Sequence, residues 1–248
     1  MSSWQILPDT DAAAARCFAD LDAVFALDGE VVASDPMSKV IRVRVGDHDY
    51  YIKRYAGLGS KPLRRRFVTP RVKSEWQNLQ RFAAWGIPTA PLVAYGLEQR
   101  WGRFVRGALI TAGIANAADL RQLALSGDPR LQSRRWLDGV SHQLAGITRS
   151  MHNHGFVHND LKWRNLLVDD GDVPTLYLID CPSGGFWWNP FLQYRIVKDL
   201  ACLDKLAKYH LTRTRRLRFY LDYAQKRRLD DTDKQRIRKI IGFFKGRE

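Results

Sequence analysis

One short segment constrains this chain more than any other. It spans His158–Asn165, with the sequence HNDLKWRN, and the apolar run Leu166–Val168 closes it. An aspartate two residues after a histidine, with an asparagine five residues further on, is typical of the catalytic loop of phosphoryl-transfer enzymes. A second aspartate, Asp180, follows an apolar pair twenty residues later, where such enzymes bind a metal ion. The segment therefore predicts the chemistry of named side chains as well as a fold.

The predicted roles follow from what phosphoryl transfer from ATP requires, which is positioning and charge neutralisation. Asp160 is predicted to accept the proton of the attacking hydroxyl or to orient that hydroxyl. Lys162, two residues later, brings a cation within reach of the transferred phosphate. Asn165, through its amide oxygen, and Asp180 are predicted to bind Mg²⁺, because a hard cation prefers oxygen ligands.

The remaining nucleotide contacts are predicted earlier in the chain. Lys53, on the third predicted strand, is expected to hold the α- and β-phosphates of ATP, and Glu75, on the next helix, to pair with Lys53. Taken alone, each has an ordinary surface interpretation, and the ordered set of motifs favours the catalytic one. Ala112 and Ile114 lie in a connector that is predicted to be a hinge, and both are assigned to nucleotide binding.

The order of predicted elements indicates a two-lobed α+β fold. Residues 1–26 are expected to form an irregular lead with a short helix. Residues 27–111 are predicted to form a five-stranded antiparallel sheet, with one amphipathic helix near Val72–Trp85 between the third and fourth strands. Residues 112–118 are the predicted hinge, and residues 119–248 are predicted to form a mostly helical lobe that carries the catalytic loop. This is the plan of the protein kinases.

Several further predictions concern the helical half. Asp199 is interpreted either as a buried anchor for the catalytic-loop backbone or as a helix-start aspartate. His152, His154 and His158 are not expected to bind a metal, because the first two straddle a helix end, and His158 is expected to be a structural hydrogen-bonding residue. Phe186–Trp188 is expected to pack in the core, with a stacking or interfacial surface as the alternative. The predicted elements are helices at Arg134–Asn153, Arg195–Tyr209, Arg213–Lys226 and Thr232–Phe244 and a strand at Val173–Ile179.

The charge of the chain is unusual, with a formal net value of +14 at pH 7. Residues 53–73 hold eight Lys or Arg and no acid, and residues 211–248 hold thirteen Lys or Arg against five acids. Such a surface favours a polyanionic partner, which is a nucleic acid, an anionic membrane or a phosphorylated substrate. A solvated basic face without a partner is the alternative.

Targeting signals and cysteines indicate the compartment. No apolar run approaches the roughly 20 residues that span a bilayer, and Met1–Asp11 lacks the pattern of a secretory signal. The cysteines Cys17, Cys181 and Cys202 are widely spaced, so neither a disulfide framework nor a structural zinc site is expected. The protein is therefore expected in the cytoplasm.

The motifs together resemble a known family, the bacterial lipopolysaccharide core kinases, which are small protein-kinase-like enzymes that phosphorylate heptose or Kdo sugars. The segment Leu211–Tyr223 is similar to the C-terminal helical pattern of that family, and the resemblance runs from about Val31 to Tyr223. The residues that carry it are Lys53, Glu75, His158–Asn165, Asp180 and Lys198–Ala201.

The resemblance implies an ATP- and Mg²⁺-dependent kinase with a sugar hydroxyl as acceptor. Its substrate would be the lipopolysaccharide core glycolipid. Basic patches would hold the enzyme on the anionic cytoplasmic face of the inner membrane, and no nucleic acid would be bound. The acceptor sugar and the oligomeric state stay open.

Three features depart from the general kinase pattern. Ser34–Ser38 replaces a glycine-rich phosphate loop, and Pro36 in it has no backbone N–H to donate. Asp180 is followed by Cys181–Gly184 rather than Phe-Gly. The stretch from Asp180 to Asp199 is too short for a peptide-docking activation loop, which favours a small or glycolipid acceptor. The alternatives are another kinase-like phosphotransferase acting on a small molecule or a protein, and a basic nucleic-acid-binding pseudokinase.

Overall fold

The structure is a computed structural model that describes residues 2–56 and 69–246. The chain divides into two compact units. The first comprises residues up to Arg81 together with Ala90–Ile114, and the second comprises Phe82–Thr89 together with the residues from Ala115 onward. An antiparallel sheet forms the basis of the first unit, and helices dominate the second. The predicted α+β fold class is confirmed.

The sheet of the first unit has the strand order β1-β5-β6-β4-β3-β2. Its elements in chain order are β1 (Ser2–Ile6), α1 (Ala12–Cys17), α2 (Leu21–Ala26), β2 (Glu30–Asp35), β3 (Ser38–Val45), β4 (His48–Ala56), α3 (Arg71–Ala84), β5 (Leu92–Arg100) and β6 (Arg103–Ala112). Strands β3 and β4 alternate apolar and polar side chains as the sequence predicts. Ile41 and Ile52 face each other across these two strands and are both buried, which fixes the register of the sheet by its apolar side.

Within the described residues this sheet has six strands, one more than the five predicted. Strand β1 lies in the lead that the sequence predicts to be irregular, and it pairs antiparallel with β5. Gly96 of β5 permits this pairing, because a Cβ at that position would stand 2.3 Å from the carbonyl oxygen of Ser3. The segment escapes prediction because it is short and mostly polar, while its partner strand lies some ninety residues away. As a consequence, Lys53 lies on the fourth strand rather than the third.

Helix α3 matches its prediction closely. Its predicted apolar face, Val72, Trp76, Leu79 and Phe82, is buried throughout. Trp76 stacks on Tyr95 of β5, with ring centroids 5.0 Å apart. This contact holds the helix, and the acidic side chain that precedes Trp76, against the sheet.

From Ala115 onward, the described part of the second unit contains five helices and two small sheets. Its elements are β7 (Ala118–Asp119), α4 (Leu120–Ser126), a 3₁₀ turn (Pro129–Gln132), α5 (Arg134–Asn153), β8 (Phe156–Val157), a 3₁₀ turn (Trp163–Asn165), β9 (Leu166–Val168), β10 (Leu176–Leu178), β11 (Gly185–Phe186), α6 (Phe191–His210), α7 (Arg213–Ala224) and α8 (Asp231–Gly242). Strands β10, β9 and β7 form one sheet, and β11 pairs with β8. None of the helices in the described part of the chain combines the length and the apolar character that crossing a bilayer requires.

The long helices of this unit follow their predictions, with some ends shifted. Helix α5 has the predicted bounds, and its apolar stripe is buried. Helix α6 begins at Phe191, four residues before the predicted start, because Pro190 already has a helical backbone there without any side-chain cap to signal it. The predicted strand at Val173–Ile179 is reduced to β10, since the Asp169 carboxylate accepts the amide hydrogens of Gly171 and Thr175 and holds a turn.

Candidate active site

The predicted catalytic loop lies between β8 and β9 and is anchored from α6. Asp199 of α6 is fully buried, and its two carboxylate oxygens accept the backbone N–H groups of His158 and Asn159 at 2.7 and 2.8 Å. The anchor interpretation of Asp199 is therefore confirmed. The helix-start interpretation is wrong, because α6 begins eight residues earlier. A buried carboxylate with two charge-assisted hydrogen bonds holds this backbone firmly.

Asp160 stands at the centre of the loop, between two cations. The Nζ atom of Lys162 lies 2.5 Å from Oδ1 of Asp160, and Nη2 of Arg164 lies 3.3 Å from Oδ2. The side-chain amide of Asn165 donates to the backbone carbonyl of Asp160 at 2.9 Å. The structure thus brings Asp160, Lys162 and Asn165 together as predicted, although their catalytic roles stay predictions. Arg164, which the sequence analysis did not assign to the site, belongs to the same cluster.

Strand pairing brings Asp180 to this cluster. Strands β9 and β10 are antiparallel, with Leu166 opposite Leu178. The residue before β9, Asn165, therefore meets the residue after β10, and the backbone N–H of Ile179 donates to the Asn165 carbonyl at 3.0 Å. Asp180 follows directly with a left-handed backbone, φ +59°, a conformation that aspartate tolerates better than most residues.

The chemistry of Asn165 and Asp180 fits a magnesium ion. Asn165 uses its amide nitrogen in the bond to Asp160, so its amide oxygen is the end that suits a cation, and Asp180 supplies a carboxylate. Magnesium is usually held by one or two such protein oxygens together with substrate phosphates and water. Within residues 2–56 and 69–246, no group of three or more His, Cys, Asp and Glu side chains is arranged to hold a metal.

The histidines near the loop have structural partners. His152 lies with Nδ1 2.8 Å from the Tyr223 hydroxyl and Nε2 3.5 Å from Asp199. His154 stacks on Trp85, with ring centroids 4.3 Å apart. These contacts give each ring a place in the packing of the second unit.

His158 is fully buried beneath the loop. Its ring stacks on Phe82. Within the described residues, neither ring nitrogen makes a hydrogen bond of normal geometry. The backbone of Ile179 is nevertheless close enough to raise the pKa of His158 slightly. Burial lowers the pKa of His158 below its ordinary value, so the ring is neutral at pH 7. Three carboxylates oppose this shift: Asp199, Asp180 and Asp160. The predicted structural hydrogen bond is thus replaced by packing and a weak backbone contact.

Asn159 supports the loop, a role that was not predicted from the sequence. Asn159 has a left-handed backbone, φ +66°, and its side-chain amide donates to the Ser183 carbonyl at 2.8 Å. Nη1 of Arg195 donates to the Asn159 side-chain oxygen at 3.0 Å, and the Arg195 guanidinium lies over the Trp187 ring at 4.3 Å. One side chain therefore ties the loop to the segment after Asp180 and to α6. Asparagine is one of the residues that adopt a positive φ most readily, so its place in the loop was the sequence feature that could have indicated this role.

Lys53 and Glu75 form an ion pair within the first unit. Nζ of Lys53, on β4, lies 3.1 Å from Oε2 and 3.2 Å from Oε1 of Glu75, on α3. The hydroxyl of Tyr55 also donates to Glu75, which is buried. The predicted pairing is present, while the contact of Lys53 with a nucleotide stays a prediction. Ala112 ends β6 and Ile114 is the last residue of the first unit, and their nucleotide contacts also stay predictions.

The hairpin that stands in place of a glycine-rich loop is closed by hydrogen bonds to one of its own side chains. Between β2 and β3, Oδ1 of Asp35 accepts the backbone N–H groups of Met37 and Ser38 at 2.6 and 2.9 Å. Burial raises the pKa of Asp35, but these hydrogen bonds outweigh it and lower the pKa overall. Pro36 has no backbone N–H, and the N–H groups of Met37 and Ser38 are already bonded to the Asp35 carboxylate. The tip of the hairpin therefore carries a negative charge and has its amides occupied.

Two sequence predictions concern the first basic stretch and the aromatic segment Phe186–Trp188. Lys61, Arg64, Arg65 and Arg66, which supply half of the first basic stretch, lie outside the described residues. The core interpretation of Phe186–Trp188 is wrong for two residues, since Phe186 and Trp188 are 52% and 72% exposed. Phe186 ends β11 and packs edge-on against Phe156, with ring centroids 5.4 Å apart, whereas Trp188 lies beyond the strand, before the start of α6.

Comparisons with known proteins found one matching family and similar solved structures. Residues 23–235 match the family model described as the lipopolysaccharide kinase (Kdo/WaaP) family. A search of curated proteins by sequence found no match. Among solved structures, the chain is similar to one described as "WaaP in complex with acyl carrier protein", at 22% identity and a TM-score of 0.73, covering 98% of this chain and 97% of that one. At that identity the likeness concerns the fold.

Proposed function

Because the chain belongs to the lipopolysaccharide kinase (Kdo/WaaP) family and is a kinase of the lipopolysaccharide core, we propose that it transfers the γ-phosphoryl group of ATP to a hydroxyl of a heptose or Kdo sugar. The observation that carries this proposal is the anchored loop, in which Asp160 lies beside Lys162 and Asn165 while Asp199 fixes the backbone. Phosphoryl transfer depends on such positioning more than on covalent chemistry.

In this mechanism the loop residues act on the acceptor. The Asp160 carboxylate orients the sugar hydroxyl and accepts its proton as the oxygen attacks phosphorus. Lys162, which lies against that carboxylate, places its positive charge beside the phosphoryl group in transit. Asp199 touches no reacting atom, and it keeps Asp160 in place through the backbone of the two preceding residues.

The proposed nucleotide contacts come from separate parts of the chain. Asn165 and Asp180 would hold Mg²⁺, which neutralises phosphate charge when bound. Lys53 would hold the α- and β-phosphates, with Glu75 fixing the position of its ammonium group. Ala112 and Ile114 would contact the base. Because the amides of the Asp35 hairpin are occupied, Lys53 would carry more of the phosphate binding than it would beside a glycine-rich loop.

A small or glycolipid acceptor suits the short segment after Asp180. Only a two-residue strand, β11, and a turn separate Asp180 from α6, so this segment offers little backbone on which a peptide could dock. We propose that the enzyme works at the anionic cytoplasmic face of the inner membrane as a peripheral protein, drawn there by its net charge of +14. Nucleic acid is not a proposed partner.

The proposal is tested with purified protein, Mg-ATP and a panel of defined core glycolipids. The expected result is that one acceptor gains the mass of a single phosphate, and that chelation of Mg²⁺ abolishes the gain. Phosphate incorporation into a protein or an aminoglycoside, with none into any core glycolipid, would contradict the acceptor class.

We also propose an acyl carrier protein as a second partner, because the WaaP of similar fold forms a complex with one. The supporting observation is a cavity of about 550 Å³ in the second unit, lined mainly by apolar side chains that include Leu137, Leu203 and Leu217, with Arg213 also lining it. Pockets of this size accommodate small-molecule ligands, and the apolar lining suits an acyl chain.

This second partner has its own test, which is co-elution with an acyl carrier protein on size-exclusion chromatography. Leu203→Arg is expected to abolish co-elution with the acylated form, because Leu203 is buried in the cavity lining and an arginine there places a charge among apolar side chains. Circular dichroism verifies that this variant is folded. Leu125→Arg is the matched control, since Leu125 is exposed on α4 and does not line the cavity. Equal binding of the acylated and unacylated forms would count against an acyl site.

A further inference from the structure

The second unit carries an exposed aromatic face that the proposed phosphoryl transfer does not use. Trp188, Phe191 and Tyr194 are 72%, 56% and 54% exposed, and Phe186 is 52% exposed. We call these four residues the aromatic face. Single exposed apolar residues are common, but four large exposed aromatic side chains within nine residues of sequence indicate an interaction surface.

The start of α6 builds this face, and the end of α8 extends it. Phe191 is the first residue of α6, and Tyr194 lies three residues further, so the two are neighbours on one side of the helix. The N–H of Leu192 donates to the Trp188 carbonyl at 2.9 Å, which places Trp188 one turn earlier. The ring of Tyr194 contacts Phe243, directly after α8, with centroids 5.6 Å apart.

The surroundings of the aromatic face are basic and free of acids in sequence. Residues 184–198 and 234–246 contain no Asp or Glu, and together they hold seven Lys or Arg. Three cations contact aromatic or neighbouring residues here: Arg195 lies over Trp187 at 4.3 Å, Lys205 over Phe244 at 5.2 Å, and Arg236 donates to Gln193 at 3.3 Å. Exposed aromatic rings flanked by cations suit a partner whose interior is apolar and whose surface is anionic.

We propose that the aromatic face is the surface through which the enzyme binds an anionic lipid bilayer. Tryptophan and tyrosine rings favour the headgroup region of membranes, and Lys and Arg near it are attracted to anionic lipids. This inference rests on the proposed function, which puts the acceptor in a membrane, and deepens it by naming the surface that contacts the lipid. Net charge alone would draw any basic side of the molecule to the membrane.

The aromatic face is also tied to the catalytic loop. The N–H of Trp187 donates to the Gly155 carbonyl at 2.9 Å, and β11 pairs with β8, which directly precedes the loop. Arg195, adjacent to Tyr194, reaches Asn159 within the loop. A bilayer bound at the aromatic face would therefore hold Asp160 at a fixed height above the membrane, where the core sugars of a glycolipid project.

The test uses co-sedimentation with vesicles of phosphatidylcholine, with and without phosphatidylglycerol. The double variant Trp188→Ala, Phe191→Ala is expected to lower the partition coefficient for the anionic vesicles by about tenfold or more, because it lacks two rings that become buried in the bilayer when the protein binds. The matched control is Trp101→Ala, since Trp101 is 93% exposed in a turn of the first unit. This control is expected to bind like the wild type. Circular dichroism verifies folding, and the single variant Trp188→Ser serves if the double variant is unfolded.

Kinase assays separate a membrane surface from an acceptor contact. The double variant is expected to keep wild-type kcat/KM on a water-soluble core oligosaccharide and to lose activity on glycolipid embedded in vesicles. An equal loss on both acceptors would overturn the inference in favour of sugar stacking, and wild-type vesicle binding by the double variant would also overturn it. If no core acceptor is phosphorylated but vesicle binding still depends on the rings, the proposed function fails while the membrane surface stands.

Discussion

Asp160 is held between Lys162 and Arg164, which makes its carboxylate the first side chain to test by substitution. Asp160→Asn keeps the shape of the side chain and removes its basicity. Turnover is expected to fall by about 10²–10⁴-fold, the usual contribution of a general base. The measurement is phosphate incorporation into the core acceptor. Asp138→Asn, an ion-paired aspartate on α5, is the control. Unchanged turnover in Asp160→Asn would remove this residue from its role.

The Lys53–Glu75 pair supports a second prediction at this scale. Glu75→Gln removes the charge that holds the Lys53 ammonium, and a charged hydrogen bond contributes about 1.5–3 kcal/mol. We expect kcat/KM for ATP to fall by about 10–100-fold. Glu98→Gln provides the control, because Glu98 pairs with two arginines in the same unit. An equal fall in both variants would indicate general destabilisation rather than a role for Lys53 at the nucleotide.

Site residues could be predicted from the sequence where the reaction requires a fixed spacing between them. The spacing from Asp160 to Asn165 and the apolar run before Asp180 both indicated neighbours that the structure brings together. Asn159 was missed because its role depends on a positive φ and on partners 24 and 36 residues away. Those partners exist only once β11 and α6 are in place, and no local pattern encodes them.

At the scale of elements, the N-terminus of α8 gives a prediction about pH. Burial raises the pKa of Asp233, but hydrogen bonds from Lys226, Asp230 and Tyr220 outweigh it and lower the pKa to about 2. A depressed folded-state pKa means that the carboxylate stabilises the fold above the unfolded value near 3.8, and that this contribution is lost as pH falls towards 2.

Asp233→Asn is therefore expected to lower the free energy of unfolding by about 1–3 kcal/mol at pH 7. The difference from the wild type should shrink as pH falls from 4 to 2, as measured by urea denaturation. Asp231→Asn, in the same turn but almost fully exposed, should change stability by less than about 0.5 kcal/mol. A pH-independent difference for Asp233→Asn would contradict the assigned charge interaction.

Elements with strong periodicity were predictable, and elements fixed by distant partners were not. The apolar spacing of α3 and α5 gave their bounds within one or two residues. Strand β1 was missed, because its pairing depends on close approach at Gly96 rather than on its own alternation. The exposure of Phe186 and Trp188 depends on how β11 pairs with β8, which hydrophobicity alone does not specify.

At the scale of the whole molecule, the net charge of +14 predicts how binding responds to salt. The affinity for an anionic core oligosaccharide is expected to fall several-fold as salt rises, because ions screen the interaction. Isothermal titration at two salt concentrations measures this, and a neutral oligosaccharide of the same length should show no such change. Tighter binding of duplex DNA than of any core glycolipid at matched salt would favour the nucleic-acid alternative instead.

The ion pair between Lys162 and Asp160 also has a kinetic consequence. The pair occupies the carboxylate that the sugar hydroxyl needs, and a polyphosphate competes for the same ammonium group. Nucleotide should therefore add first, since it draws the ammonium away and exposes the carboxylate to the second substrate. An unreactive acceptor analogue should then inhibit uncompetitively against ATP, whereas a mixed pattern would indicate that the substrates add in random order.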